Sequence, residues 1–242
     1  MYQQALTLSI PGFSDPFSSL SHLAGALVFA ILSLDLIGRG RGDARRVLSL
    51  VVFAFSCVLL LSLSGAYHLL QHDTAARSVL MRLDHAAIFM LIAGSFTPVH
   101  VILFRGPWHR DLLVWIWAAA ILCLTLKSVF FKDIPDGLGL AMYLGLGWLG
   151  VISTAALVRR HGLRFILPLV WGALAYTIGA VAEHLHWPEL IPGIVGPHEV
   201  FHLAVLAGIA FHWAFIRRIA SRDRVLHPEV PVLYVLALGQ RG

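Results

Sequence analysis

Seven stretches of this chain are each long and apolar enough to cross a lipid bilayer, and that repetition constrains the fold more than any single motif. A helix crossing the hydrocarbon core needs roughly 20 apolar residues. Such segments run from about Phe17 to Gly38, Val47 to Leu70, Ser78 to Phe104, Leu112 to Phe131, Leu138 to Val158, Phe165 to Trp187 and His198 to Ile219. Only 13% of the residues are charged and 58% are hydrophobic, with a mean hydropathy of +0.80. Soluble domains carry about 25% charged residues. The composition therefore predicts an all-α integral membrane protein, a seven-transmembrane helix bundle, with residues 1–242 as a single domain. Residues 220–242 read as a C-terminal tail, whose apolar piece Val230 to Leu238 is too short to span. Residues 1–17 lack the basic start of a signal peptide, so the first apolar segment is expected to be a retained span.

The connections are short and rich in breakers, as at Arg105-Gly106-Pro107 and between Lys132 and Gly137. Short loops make sequential helices antiparallel neighbours. Glycines recur in the fifth and sixth spans (Gly145, Gly147, Gly150, Gly172, Gly179), where small residues let helices approach closely. With alternating spans, all of the 18 Lys and Arg except Arg77, Arg82, Lys127 and Lys132 fall on the side of the C-terminus. Basic residues mark the cytoplasmic face, which predicts the N-terminus outside and the C-terminus in the cytoplasm. The net charge of +5 is thus a topology signal. No basic stripe with interleaved aromatics points to nucleic acid. Cys57 and Cys123 sit inside apolar runs and read as packing residues, neither disulfide partners nor metal ligands.

The ionisable residues within or beside the spans collect in one leaflet, the one poor in Arg and Lys. His22 is near the start of span one, His68 at the end of span two, and Asp84 and His85 near the start of span three. Glu183, His184 and His186 end span six, and His198, Glu199 and His202 begin span seven. Ionisable groups in a bilayer are expensive and usually functional. His198 and His202 are four residues apart, so both imidazoles lie on one helix face. With His68 they make three candidate ligands, and three imidazoles plus an open position form the catalytic zinc pattern. Asp84 could bind the metal, hold a water or orient a ligand. Ser64, four residues before His68, could hydrogen-bond the water or a substrate carbonyl. Each has an ordinary alternative: Asp84 as a helix cap, Ser64 as interhelical glue, His22 and His85 as structural hydrogen bonders, Glu183, His184 and His186 as a solvated helix end. His212 reads as packing.

Three motifs in order give the chain a resemblance. Ser64-Gly65-Ala66-Tyr67-His68, the stretch from Arg82-Leu83-Asp84-His85 to Phe96-Thr97-Pro98, and His198-Glu199-Val200-Phe201-His202 resemble the signatures of the hemolysin III / progestin and adipoQ receptor family. The resemblance covers about Asp15 to Arg217. It implies a seven-helix bundle with a zinc ion held by His68, His198 and His202, and with Asp84 acting beside it next to Ser64. Relatedness to adiponectin receptors and alkaline ceramidases implies hydrolysis of a lipid amide, with a membrane lipid as substrate or ligand. Two features depart from the pattern. The family's first motif, E-x2-N-x3-H, becomes Asp15, Ser18 and His22 here, with a shortened acid and no Asn. The adiponectin-receptor branch places its N-terminus in the cytosol, opposite to the basic-residue count.

The leading expectation is therefore a zinc-dependent membrane hydrolase acting on a lipid amide or ester, with water as nucleophile, Zn2+ as cofactor, Asp84 and Ser64 as catalytic residues, and no nucleic-acid partner. The alternative is a non-enzymatic membrane protein, receptor-like, homeostatic or cytolytic, in which zinc is a structural tie. A third reading takes His198-Glu199-x-x-His202 as a metalloprotease motif with Glu199 as base. The acids after His202, Asp223 and Glu229, lie outside the spans, and Glu199 points about 100° from His198 around the helix.

Overall fold

The computed structural model describes residues 14–192 and 194–221. The apolar C-terminal piece and Arg222, Asp223, Arg224, Glu229 and Arg241 lie outside the described residues. Eight helices follow one another: α1 (Pro16–Gly38), α2 (Ala44–Leu69), α3 (Ala75–Leu103), α4 (Pro107–Val129), α5 (Asp136–Trp148), α6 (Gly150–His161), α7 (Leu163–His184) and α8 (Pro197–Ala220). They supply seven crossings, because α5 and α6 together make a single apolar stretch of 26 residues, Asp136–His161. The chain is an all-α, multi-pass integral membrane protein.

Local chemistry sets where the helices begin. Asp43 caps α2 by accepting the backbone N–H groups of Arg45 and Arg46 at 3.1 and 3.2 Å. Thr74 caps α3 in the same way through Arg77 N–H at 3.2 Å. Proline opens α1, α4 and α8, where a missing N–H leaves no bond unmade. The fifth crossing, which reads as continuous in sequence, is interrupted at Leu149 between α5 and α6. Leu149 itself keeps right-handed helical dihedrals, φ -55° and ψ -22°, so the two helices run on from one another.

The buried interior is formed mainly by α1, α2, α3 and α8. Trp213 lies between Phe29 and Phe53, with ring centroids 5.0 and 5.4 Å away. Leu50, Leu61, Ile209 and Ile216 fill the space around them. The outer surface is the reverse of a soluble protein's: Leu34, Trp115 and Trp108 are 77, 72 and 67% exposed, while His22, His68, His100 and His202 are buried. Bilayer solvation explains that inversion, because lipid accepts the leucines and rejects the imidazoles.

The two ends of the bundle differ in chemistry. At one end Arg217 donates to Asp35 at 2.8 Å and Arg46 to the Ala220 carbonyl at 3.1 Å, joining α1, α2 and α8. Near it His100 ties three elements, its Nδ1 donating to the His109 carbonyl at 3.1 Å and its Nε2 accepting from the Ser153 hydroxyl at 2.9 Å. The opposite end gathers His22, His68, His198 and His202.

Candidate metal centre

Two helix ends meet at the histidine end. The C-terminal turn of α2 carries His68, and the first two turns of α8 carry His198 and His202. Antiparallel packing brings these turns level, and the ligand atoms of the three imidazoles lie within 4.8 Å of one another. His68 and His202 are buried, 3 and 2% exposed. The four-residue spacing on α8 is what puts His198 and His202 on a common face, ring centroids 4.5 Å apart.

Hydrogen bonds fix how two of the rings are used. His68 Nδ1 donates to Asp15 Oδ2 at 2.9 Å. His198 Nδ1 donates to Glu183 Oε1 at 3.0 Å. Each carboxylate selects the tautomer with its proton on Nδ1, which leaves a lone pair on Nε2. Those two Nε2 atoms face each other at 3.1 Å. Two neutral imidazoles with this tautomer cannot hydrogen-bond there, since neither carries a proton to share. A cation placed between the lone pairs resolves the conflict, and imidazole backed by carboxylate is the common way a protein holds zinc. The residues present therefore fit a metal ion.

The third ligand is supported differently. His22 stacks on His202, centroids 3.9 Å apart and planes 16° off parallel. His22 Nε2 also donates to the His202 carbonyl at 3.4 Å. Among the described residues, Nδ1 of His202 finds no hydrogen-bond partner.

Asp84 sits beside the histidine group rather than in it. Its side chain is 13% exposed, the Ser64 hydroxyl lies against its carboxyl, and His198 is within electrostatic reach. Arg82 turns away from it, donating to the Ser128 carbonyl at 3.4 Å. The structure thus brings together His68, His198, His202, Asp84 and Ser64. Glu199 does not join them: its carboxylate accepts the Gly196 N–H and the Ser18 hydroxyl, both at 3.0 Å, and so caps α8. His85 bonds the Met81 carbonyl of its own helix at 2.8 Å. His184 and His186 are exposed. His212 packs edge-on to Tyr176 far from the group, 5.4 Å between centroids.

Two contributors escape the sequence reading. Glu183, read there as part of a solvated helix end, is half-buried against His198. Arg77, counted only for topology, is buried and donates to Asp15 Oδ2 at 2.6 Å. Partial burial raises the Asp15 pKa, but the bonds from His68 and Arg77 prevail and hold it well below the usual carboxylate range. The sequence signal for Asp15 was its register with Ser18 and His22. For Glu183 it was only its place in the leaflet where the ionisable residues collect.

Beyond the centre an apolar cavity of about 440 Å³ lies among α3, α5, α6, α7 and α8, lined by Leu91, Phe96, Val99, Leu169 and Phe201. Phe201 lines this cavity and also lies 6.2 Å from the His202 ring, centroid to centroid. Tyr143 also lines the cavity and is within electrostatic reach of Asp84.

Comparison with known proteins agrees with this architecture. A family model described as haemolysin-III related matches residues 13–213. Hemolysin-3 of Bacillus cereus is 30% identical over 198 residues, covering 80% of this chain and 85% of that protein. The hemolysin-3 homolog of Bacillus subtilis is 30% identical over 196 residues, covering 80 and 88%. The adiponectin receptor protein of Drosophila melanogaster is 26% identical over 236 residues, covering 88% of this chain and 52% of that one.

Proposed function

Because the chain belongs to the haemolysin-III related family, we propose that it is a zinc-dependent hydrolase working inside the membrane on a lipid amide or ester. The observation that carries the proposal is the three-histidine group with Asp84 and Ser64 beside it, next to an apolar cavity that the neighbouring Phe201 lines. His68, His198 and His202 would hold the ion. When bound in such a site, zinc supplies Lewis acidity, polarising a carbonyl and lowering the pKa of water to roughly 7.

The remaining work falls to the chain's own residues. Asp84 takes a proton from the attacking water and delivers it to the leaving amine or alkoxide. Ser64, whose hydroxyl donates to the Asp84 carboxyl, holds that carboxyl in place. The acyl chain lies in the cavity past Phe201, entering sideways from the lipid. Tyr143 has a buried hydroxyl without a hydrogen-bond partner among the described residues, lines the cavity and is within electrostatic reach of Asp84. A substrate head group is the partner it would receive, since buried hydroxyls are normally satisfied.

The test is hydrolysis of N-acyl amide and ester lipids by purified, zinc-loaded protein. Turnover is expected, and Asp84→Ala is expected to lower it by about 10²- to 10⁴-fold while zinc stays bound. Absence of turnover on every ceramide-like, ester and phospholipid substrate would sink the proposal.

A second reading has the names of the Bacillus relatives in its favour: a cytolytic or homeostatic membrane protein in which zinc merely ties α2 to α8. A structural zinc takes four protein ligands. The group here offers three histidines, with Asp84 set aside from it, and that pattern favours the enzyme.

A further inference from the structure

The first turn of α1 makes contacts that the proposed reaction does not itself require. The Asp15 backbone N–H donates to the His68 carbonyl at 3.1 Å, while the Asp15 carboxylate accepts from the His68 ring. Ser19 donates to the Gly65 carbonyl at 2.9 Å, one turn before His68. Ser18 donates to Glu199 on α8, and His22 stacks on His202. One turn therefore touches both ligand-bearing helices. Arg77, from α3, locks the Asp15 carboxylate from behind and also donates to the Leu70 carbonyl just beyond α2. Its guanidinium lies over the Tyr67 ring, 4.6 Å from the centroid, so packing holds it as well as charge.

Glu183 performs the matching contact from the other side. It ends α7 and reaches His198 across the connection to α8. The two carboxylates come from unconnected parts of the chain, yet each meets the Nδ1 of one imidazole whose Nε2 faces the other. Surface ion pairs do not repeat a geometry in this way.

We propose that Asp15 and Glu183 are positioning residues for the metal centre: each fixes the tautomer and the aim of one ligand imidazole, and Arg77 pins Asp15. The inference rests on reading His68, His198 and His202 as a metal site. The shortened acid at position 15 then has a physical account. Asp needs a close approach to reach His68, and the direct backbone bond from Asp15 to His68 provides it. An Asn at the same place accepts through its carbonyl oxygen, but it no longer demands one tautomer and carries no charge to strengthen the ligand.

The experiment is a zinc competition assay on the full chain in detergent, with a chelator setting free zinc. Asp15→Asn and Glu183→Gln are each expected to weaken zinc binding by about 10- to 100-fold. The metal-free proteins should keep wild-type melting curves, and Asp15→Glu, which restores a carboxylate, should recover most of the lost affinity. Glu183 is the safer site if Asp15→Asn does not fold, because its side chain is 40% exposed. Wild-type affinity in both Asn and Gln variants, with zinc lost in His68→Ala, would overturn the inference while leaving the metal site standing. Wild-type affinity in His68→Ala as well would remove the metal site and this inference with it. A loss in Asp15→Asn that tracks a lowered melting curve, and that Asp15→Glu does not relieve, would make Asp15 a structural residue only.

Discussion

At the scale of single residues, two acids on neighbouring elements carry opposite assignments. Glu199 lies between the paired histidines in sequence but spends both oxygens on capping α8 and meeting Ser18. Asp84 is remote in sequence but stands beside the centre with Ser64. In the hydrolysis assay Glu199→Gln is therefore expected to keep turnover within an order of magnitude, since an amide oxygen still accepts the N-terminal N–H. A loss as deep as that of Asp84→Ala would revive the protease reading. The three-histidine group was legible because a helix converts a four-residue spacing into one face, and because His68 falls in the same leaflet. Glu183 was not. A carboxylate at a helix end has no visible partner until the turn that follows it is folded, and here that turn brings it to His198.

At the scale of elements, hydropathy locates the crossings, since each needs a near-unbroken apolar run. The one-residue break at Leu149 was hidden, because the backbone there stays helical and Leu149 is not a breaker residue, whereas glycines elsewhere serve close packing. Packing of α1 on α2 shows that use clearly. A Cβ on Gly65 would meet Leu23 Cγ at 2.6 Å and the Leu23 backbone nitrogen at 3.1 Å. Gly65 also accepts the Ser19 hydroxyl, so a displaced α1 would carry Asp15 away from His68. Gly65→Val is expected to destabilise the bundle by about 1–3 kcal/mol, the range for overpacking. It should lower both the melting temperature in detergent and zinc affinity. An unchanged melting curve would show that α1 is not held against α2 at this point.

At the scale of the whole molecule, the bundle has an arginine end and a histidine end, and an apolar cavity lies inside it among α3, α5, α6, α7 and α8. Alternation of the spans made this polarity readable in sequence; the cavity was not readable, because its lining comes from α3, α5, α6, α7 and α8 and depends on how they pack. We propose that the arginine end faces the cytoplasm and the metal centre the outside, as the basic-residue rule requires. A reporter fused to the C-terminus should then be active only in the cytoplasm, and activity on the far side would reverse the orientation. Every functional argument depends on an ion between α2 and α8. Elemental analysis of the purified chain measures it most directly. Wild-type protein should carry a single zinc per chain, and His68→Ala and His202→Ala should each lose it while keeping their helical content. Protein that folds and shows no metal, or a His68→Ala variant that retains full zinc, would contradict the account.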